Sequence, residues 1–204
     1  MAFNPNIAIV VLAAGGSKRM GTAKQALPWG NSTLIEHVIQ MAIKTPANEV
    51  LVVLGANSEL VSTSIKQYAI SILQNENWEL GLGTSISKAI NHILYSKPEL
   101  NGVLFILADQ PFITSDYLKT MIQNFESNNN RIIASSYSEG DYGVPVLFSS
   151  IYFSELSELK GDHGAKDVLR KYKSQIVVLA PPNINVDLDT QADYKKFNKR
   201  KTDK

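Results

Sequence analysis

The chain has 204 residues, of which 44% are hydrophobic, and this size and composition fit one globular domain with a substantial core. Its 20 basic and 19 acidic side chains nearly balance, so net charge gives no general attraction to nucleic acid or to an anionic membrane. The absence of cysteine excludes disulfides, thiolate metal sites and cysteine nucleophiles. We therefore expect a single domain over residues 1–204 with a basic tail at about 198–204, a cytoplasmic location, and no nucleic-acid or membrane partner.

Four apolar, β-branched segments predict strands that are buried on both faces, at 7–14, 50–54, 103–108 and 176–179. Between the first three strands and after the third, apolar residues recur at helical spacing in 34–43, 86–94 and 118–125. Helices that alternate with such strands are typical of an α/β fold with three layers, Rossmann-like, around a mostly parallel, doubly wound sheet.

Capping patterns mark two helix starts. Thr33 and Glu36 form a capping box before the first helix, and Thr190 and Asp193 form another before a last helix. A further strand is predicted at about 185–188, just before that last helix, and the polar segment 127–130 predicts a loop.

A glycine-rich loop follows the first predicted strand. Its glycines allow tight turns that point backbone amides at an anion, and three basic side chains in and after the loop supply charge that phosphate oxygens neutralise. The pattern therefore predicts a polyphosphate site that contains Leu12, Ala13, Ala14, Gly15, Gly16, Ser17, Lys18, Arg19, Met20, Gly21 and Lys24.

Two better-known phosphate loops do not fit this segment. The Rossmann dinucleotide pattern needs G-x-G-x-x-G, and positions 17, 18 and 19 hold no glycine. A P-loop needs a lysine directly after the second glycine of G-x-x-x-x-G, and Thr22 follows Gly21 here. The sequence therefore argues against a nicotinamide-dependent dehydrogenase and against a P-loop NTPase.

Carboxylates follow two of the predicted strands. Asp109 stands at the exit of the strand 103–108, and Asp187 and Asp189 alternate onto one face of the predicted strand near 187. Magnesium is usually held by one or two carboxylates together with substrate phosphates. We therefore predict a Mg²⁺ site with Asp109 and one of Asp187 and Asp189, while roles as a turn residue for Asp109 and as a helix cap for Asp189 stay open.

Seven segments carry a resemblance to a known family. In their order along nearly the whole chain they resemble the molybdenum cofactor cytidylyltransferases of the MobA-like NTP transferase family. The segments are LAAGGSKRMG (12–21), KQALP (24–28), GLGTSI (81–86), LADQP (107–111), GVPVLF (143–148), GDHGAK (161–166) and DLDTQADY (187–194).

The resemblance implies the nucleotide-diphospho-sugar transferase fold and a nucleotidyl transfer that uses Mg²⁺ and takes CTP as substrate. Lys24, Arg19 and Asp109 are then the catalytic groups, with Lys24 on the phosphates and Asp109 on the metal. Ala14, which the related guanylyltransferases lack, favours CTP over GTP. The residues that border the nucleotide after the first loop are Gly83, Thr84 and Ser85.

The resemblance also implies a molybdopterin-type acceptor, with a molybdoenzyme or its chaperone as a protein partner. Lys166 stands where the family has an arginine, and a lysine does not make the planar bidentate contact of an arginine. The acceptor-binding residues implied are Gln110, Pro145, Gly161, Asp162, His163, Gly164 and Lys166.

Two alternatives remain open at the level of sequence. One is guanylyl or other nucleotidyl transfer, to molybdopterin or to another small phosphorylated acceptor such as a sugar phosphate or an alcohol phosphate. The other is a non-catalytic chaperone that binds nucleotide or cofactor and releases no pyrophosphate.

Overall fold

A computed structural model describes residues 5–17, 19–125, 131–138, 141–182 and 186–202. The strands in these ranges are β1 (Ile7–Ala13), β2 (Pro28–Trp29), β3 (Ser32–Thr33), β4 (Glu49–Leu54), β5 (Ser71–Gln74), β6 (Gly102–Leu107), β7 (Ile132–Ser138), β8 (Asp141–Ser149) and β9 (Ile176–Leu179). The helices are α1 (Leu34–Ile43), α2 (Ser58–Ile65), α3 (Leu82–Ser96), α4 (Ser115–Gln123), α5 (Phe153–Ser157), α6 (Lys166–Lys171) and α7 (Gln191–Thr202).

Seven strands form one sheet in the order β5-β4-β1-β6-β8-β7-β9. β1 pairs in parallel with β4 and with β6, and its end is in register with both, because Ala13 pairs with Leu54 and Leu12 with Leu107. β8 runs antiparallel to β6 and to β7, whereas β7 and β9 are parallel. The carboxyl ends of β1, β4 and β6 therefore open at one edge, where an open α/β sheet binds its ligands.

Each face of the sheet carries its own apolar core. On one face, Ile9 and Val11 pack with apolar residues of α1, α2 and α4. On the other face, Val10 and Leu12 pack with residues of α3, α5 and α6. All seven residues of β1 are buried, which explains why its apolar run is continuous rather than alternating. The mostly parallel sheet and three layers predicted from sequence are confirmed.

Both predicted capping boxes are present. At the start of α1 the Thr33 backbone amide donates to the Glu36 carboxylate at 2.8 Å, and the Glu36 amide donates to the Thr33 hydroxyl at 3.4 Å. Before α7 the Thr190 amide donates to Asp193 at 3.0 Å, and the Asp193 amide donates to the Thr190 hydroxyl at 3.1 Å. These bonds satisfy amides that a helix start leaves free, so each helix begins at a defined residue.

The strand predicted at 185–188 is wrong for the residues that the structure describes, and Asn185 lies outside them. Residues 186–189 pair with no strand. Instead, the Leu188 side chain is fully buried beside Trp29 and Leu34, and its backbone amide donates to the Asp109 carbonyl at 3.0 Å. The alternation of Leu188 with Asp187 and Asp189 therefore reflects one anchoring apolar side chain and not a strand.

Three strands of the main sheet lie where no strand was predicted, namely β5, β7 and β8. The hydrophobic pattern does not predict β7 because the strand contains a polar residue, Ser135. Its side chain is fully buried and donates to the Pro145 carbonyl at 2.8 Å. The Tyr117 hydroxyl also donates to the Ser135 hydroxyl at 2.9 Å. Hydrogen bonds thus offset the burial of a polar side chain in this strand.

Two further predictions concern the rest of the chain. The loop at 127–130 lies outside the described residues, and the basic segment near the end continues α7 as far as Thr202. Within the described ranges, every helix is too short or too polar to cross a lipid bilayer.

Candidate functional site

Two adjoining pockets open at the carboxyl edge of β1 and β6. The first, the loop pocket, has a volume of about 310 Å³ and is lined by Leu12, Ala13, Ala14, Gly15, Gly16, Lys24, Gln25, Trp78, Glu79, Gly81, Leu82, Ser85, Leu107, Ala108, Asp109 and Asp162. The second, the aromatic pocket, has a volume of about 430 Å³ and is lined by Leu12, Leu82, Ile86, Phe105, Leu107, Tyr137, Asp141, Tyr142, Gly143, Val144, Val146, Asp162, His163, Ala165, Lys166, Leu169 and Asp187.

The loop pocket is closed on one side by an indole ring. A Cβ atom on Gly16 would lie 3.0 Å from the six-membered ring of Trp78, and one on Gly55 would lie 2.5 Å from the Trp78 Cβ. Real Cβ atoms are not found at the second distance. Glycine at both positions therefore allows Trp78 to pack against the loop and form a wall of the pocket.

An ion-pair cluster adjoins the loop pocket, which Lys24 and Asp109 line. The Lys24 ammonium donates to Asp109 Oδ2, and it also lies 3.3 Å from Asp189 Oδ1. The side chains of Lys24 and Asp109 are only 16% and 14% exposed. Arg19, which is 72% exposed, reaches Asp189 at 2.9 Å from outside. Burial lowers the pKa of Lys24, but the two carboxylates outweigh it and raise that pKa above its ordinary value.

Asp187 reaches the cluster from the other side. Its Oδ1 accepts a hydrogen bond of 2.8 Å from Gln110 Nε2, which also donates to the Tyr137 hydroxyl at 2.8 Å. Burial raises the pKa of Asp187, and the nearby charge of Asp109 raises it further. Because Asp187 lines the aromatic pocket and Asp109 lines the loop pocket, the acidic cluster joins the two.

The carboxylates fit a hard divalent cation that arrives with another ligand. Asp109 Oδ1 is buried and has no hydrogen-bond partner in the part of the chain that the structure describes. No three acidic or histidine side chains among those residues are arranged to hold a metal by themselves. Magnesium is commonly bound by one or two carboxylates and completed by water and phosphate oxygens, so the donor set suits a metal carried by a phosphorylated substrate.

The start of α3 borders both pockets through close backbone packing. A Cβ on Gly81 would lie 2.4 Å from the carbonyl carbon of Gly161, and the Gly83 amide donates to the Gly161 carbonyl at 2.9 Å. Asn75, which is 3% exposed, holds the same turn by donating to the hydroxyls of Thr84 and Ser85. The helix start that lines the loop pocket is thus fixed to the segment that lines the aromatic pocket.

The structure brings most of the predicted nucleotide-binding residues together. Those that line the loop pocket are Leu12, Ala13, Ala14, Gly15, Gly16, Lys24, Ser85 and Asp109. Those that lie nearby without lining it are Ser17, Arg19, Met20, Gly21, Gly83 and Thr84. Met20 is only 4% exposed, and its carbonyl accepts a hydrogen bond from Gln191. Lys18 lies outside the described residues.

The predicted acceptor-binding residues divide into two groups. Asp162, His163 and Lys166 line the aromatic pocket. The other four support its walls without lining it: Gln110 through Asp187 and Tyr137, Pro145 within β8, and Gly161 and Gly164 through positive φ angles of 73° and 56° in the loop before α6.

Sequence reasoning missed several residues that line the pockets, namely Gln25, Trp78, Glu79, Tyr137 and Tyr142. Gln25 and Trp78 stand inside or just before recognised segments, so proximity to those segments was an available signal. Tyr137 and Tyr142 lie on strands β7 and β8, which the hydrophobic pattern did not reveal.

Comparison with known proteins gives relatives of similar length. The chain is 28% identical over 196 residues to nicotine blue oxidoreductase of Paenarthrobacter nicotinovorans, covering 91% of this chain and 93% of that one. It is 29% identical over 176 residues to the purine catabolism protein PucB of Bacillus subtilis strain 168, covering 82% of each. Among solved structures, Rv0371c of Mycobacterium tuberculosis H37Rv superposes with a TM-score of 0.82 at 26% identity, over 97% of this chain and 100% of that one.

The family assignment rests on most of the chain. The MobA-like NTP transferase domain matches residues 9–176, a range that includes the glycine loop, Lys24 and Asp109. A nucleotidyl transferase of Methanothermobacter thermautotrophicus shares the fold with a TM-score of 0.83 at 16% identity, over 97% of this chain and 98% of that one. The resemblance to this family is therefore confirmed: the chain belongs to the MobA-like NTP transferase family and is a nucleotidyltransferase.

Proposed function

We propose that this chain transfers the cytidylyl group of CTP to the phosphate of molybdopterin in a reaction that requires Mg²⁺. The observation that carries the proposal is the Lys24 ammonium, which lies between Asp109 and Asp189 beside a glycine loop and a second, aromatic pocket. Such an arrangement offers positive charge for phosphates, carboxylates for a metal, and separate space for an acceptor.

The loop pocket is the proposed nucleotide site. An ammonium group has three donor hydrogens, and among the residues that the structure describes Lys24 donates to two partners, Asp109 and Asp189. The third is available to a phosphate oxygen without the loss of either ion pair. The CTP preference rests on Ala14 through the family resemblance. It is also supported by a solved CMP:2-keto-3-deoxy-manno-octonic acid synthetase in complex with CTP, which shares the fold with a TM-score of 0.74 at 14% identity, over 97% of this chain and 99% of that one.

The aromatic pocket is the proposed acceptor site. Tyr137, Tyr142 and Phe105 give it broad apolar walls that suit a flat heterocycle such as a pterin. Lys166 and His163 line its rim and supply groups that can contact a phosphate. The pocket adjoins the loop pocket through Leu12 and Leu107, so an acceptor phosphate placed there would face the α-phosphate of the nucleotide.

The proposed reaction does not need a strong general base. An oxygen of the acceptor phosphate forms a bond to the α-phosphorus, and the bond from that phosphorus to the leaving pyrophosphate breaks. The second pKa of a phosphate monoester is about 6, so the attacking oxygen is already ionised near neutral pH. Lys24 then stabilises the charge on the phosphates, and Arg19 can contribute from the solvent side.

Asp109, with Asp187 or Asp189, is the proposed holder of the metal. When bound, Mg²⁺ would neutralise phosphate charge and orient the triphosphate for in-line attack. A structure of Rv0371c in complex with manganese, whose fold this chain shares with a TM-score of 0.78 at 24% identity, supports a divalent cation as a ligand.

Other readings make different predictions. A sugar phosphate or alcohol phosphate as acceptor, or GTP as donor, would keep the chemistry and change the product. A cofactor chaperone would bind nucleotide and release no pyrophosphate. The name of the Paenarthrobacter relative describes an oxidoreductase. The glycine loop here lacks the pattern with which Rossmann dehydrogenases bind a nicotinamide dinucleotide.

The proposal is tested by incubating the purified chain with molybdopterin, Mg²⁺ and each of CTP, GTP, ATP and UTP, and by measuring pyrophosphate release together with the dinucleotide product. We expect pyrophosphate and molybdopterin cytosine dinucleotide in equal amounts with CTP. Product with another triphosphate would overturn the nucleotide assignment, and release that needs a different acceptor would overturn molybdopterin. Nucleotide binding without any release would favour the chaperone reading.

Replacement of the central cation tests its part in turnover. We expect Lys24→Ala to lower kcat by about 100-fold or more, by analogy with the loss of one preorganised donor from an oxyanion hole. Lys119→Ala is the matched control, since Lys119 forms a surface ion pair with Asp116. Turnover of Lys24→Ala close to that of the unchanged chain would remove Lys24 from the mechanism.

The Asp109→Asn variant tests the metal site. We expect it to remain folded and to need at least about tenfold more Mg²⁺ for half-maximal activity, because a neutral amide is a poorer ligand than a carboxylate. Asp116→Asn, on the exposed first turn of α4, is the control. If the two variants gave the same magnesium titration, Asp109 would be only a turn residue.

A further inference from the structure

Gln25 is a buried polar side chain beneath the glycine loop, only 1% exposed, in the short 3₁₀ turn Lys24–Ala26. Its Nε2 donates to the carbonyl of Ala13 at 2.8 Å and to the carbonyl of Gly15 at 2.9 Å. Its Oε1 accepts a hydrogen bond of 3.3 Å from the Ser17 hydroxyl. One carboxamide therefore engages three groups of the loop at once.

These bonds decide which backbone groups of the loop remain available. The carbonyls of Ala13 and Gly15 are bound to Gln25, and the Ala14 carbonyl accepts from the Ala56 amide at 3.0 Å. The backbone amides of Gly15 and Gly16 have no hydrogen-bond partner within the described ranges. Free amides attract an anion and free carbonyls repel it, so the engaged carbonyls give the loop the polarity of an anion site.

The same residue supports an unusual backbone conformation. Ser17 has a φ angle of 52°, in the left-handed region that residues other than glycine rarely adopt. Its hydroxyl is held from two sides, because it donates to Gln25 and accepts from the Lys24 backbone amide at 3.1 Å. The carboxamide thus links the shape of the loop to the residue whose ammonium lies between Asp109 and Asp189.

We propose that Gln25 is a positioning residue for the polyphosphate part of the nucleotide. It holds the carbonyls of Ala13 and Gly15 so that they do not turn toward a bound phosphate. It also fixes Ser17 and Lys24 in the arrangement that brings the Lys24 ammonium to the negative charge of the phosphates. The proposal rests on the proposed function in taking the ligand to be a nucleoside triphosphate, and it goes further in assigning recognition of the phosphates to a residue that need not touch them.

Two substitutions separate the contributions of the carboxamide. Gln25→Met keeps the length of the side chain and removes both donors. Gln25→Glu places a carboxylate against the carbonyls of Ala13 and Gly15, where oxygen would face oxygen. Gln40→Met is the matched control. Gln40 lies on α1, and its side-chain amide donates to the Tyr68 hydroxyl at 3.0 Å.

We would measure the affinities for CTP, CMP and inorganic pyrophosphate by calorimetry, each with Mg²⁺. The temperature is chosen from thermal denaturation curves so that every variant is folded. We expect Gln25→Met to lower the affinities for CTP and pyrophosphate by at least about tenfold, which is the loss expected when one loop amide no longer donates to a charged phosphate. We expect Gln25→Glu to weaken both further. CMP should change by less than about threefold, and Gln40→Met should leave all three affinities unchanged.

A purely structural role predicts something else. In that case the Gln25 variants would lose affinity for CTP and for CMP in parallel, together with a lower melting temperature. That result would overturn the proposal. Unchanged pyrophosphate and CTP affinities in the folded Gln25→Met protein would overturn it as well. If neither Gln25 variant folded while Gln40→Met did, Gln25 would be a structural residue and the proposal would fall.

The three ligands keep this inference distinct from the proposed function. If the unchanged chain bound pyrophosphate but not CTP, the cytidylyl proposal would fail, and the pyrophosphate affinities would still decide the role of Gln25. If CTP bound equally well to the unchanged chain and to both variants, only the role of Gln25 would fail. If the unchanged chain bound neither CTP nor pyrophosphate, both proposals would be contradicted.

Discussion

The ion-pair cluster around Lys24 is the constraint on which the site depends. Its ammonium meets Asp109, 85 residues later, and Asp189, 165 residues later. Opposite charges stabilise a charged group that is largely shielded from water, and removal of one partner leaves the other charge unpaired. Electrostatic attraction therefore helps to hold together the segment after the glycine loop, the exit of β6 and the segment before α7.

The sheet makes this cluster possible. β1 lies between β4 and β6 with matched registers, so the chain leaves all three strands at one edge. The late segment joins that edge because the Leu188 amide donates to the Asp109 carbonyl and the Leu188 side chain is buried. On the other side, the backbone contact between Gly83 and Gly161 ties the loop pocket to the aromatic pocket. Two ligands bound there would lie side by side on a common, rigid frame.

Sequence predicted the parts of this frame that hydrophobic patterns and short motifs report. β1, β4, β6 and β9 were expected from nearly continuous apolar runs, and the helices α1, α3 and α4 were expected because their apolar residues recur at helical spacing. The loop and Asp109 were expected because glycine, lysine and a strand-end carboxylate suit a phosphate and a metal. These signals are local, and each can be read without knowledge of what lies next to it in space.

The features that sequence did not reveal depend on distant contacts. β7 is stabilised by hydrogen bonds to Ser135, which looks like a surface residue in the sequence. Gln25 looks equally ordinary, and its burial becomes apparent only when the loop folds over it. The segment at 186–189 follows the opposite pattern, since its alternating residues resemble a strand but pair with none. In each case a tertiary contact, rather than residue type or spacing, decides the outcome.

The central claim is that the loop pocket binds a nucleoside triphosphate together with a divalent cation. Calorimetric titration of CTP, GTP, ATP and UTP into the purified chain, each with and without Mg²⁺, tests it most directly. We expect CTP to bind most tightly and its affinity to fall when Mg²⁺ is withheld, because no metal ion then offsets the repulsion between the Asp109 carboxylate and the phosphates. Absence of binding by all four nucleotides, in the presence and in the absence of Mg²⁺, would contradict it.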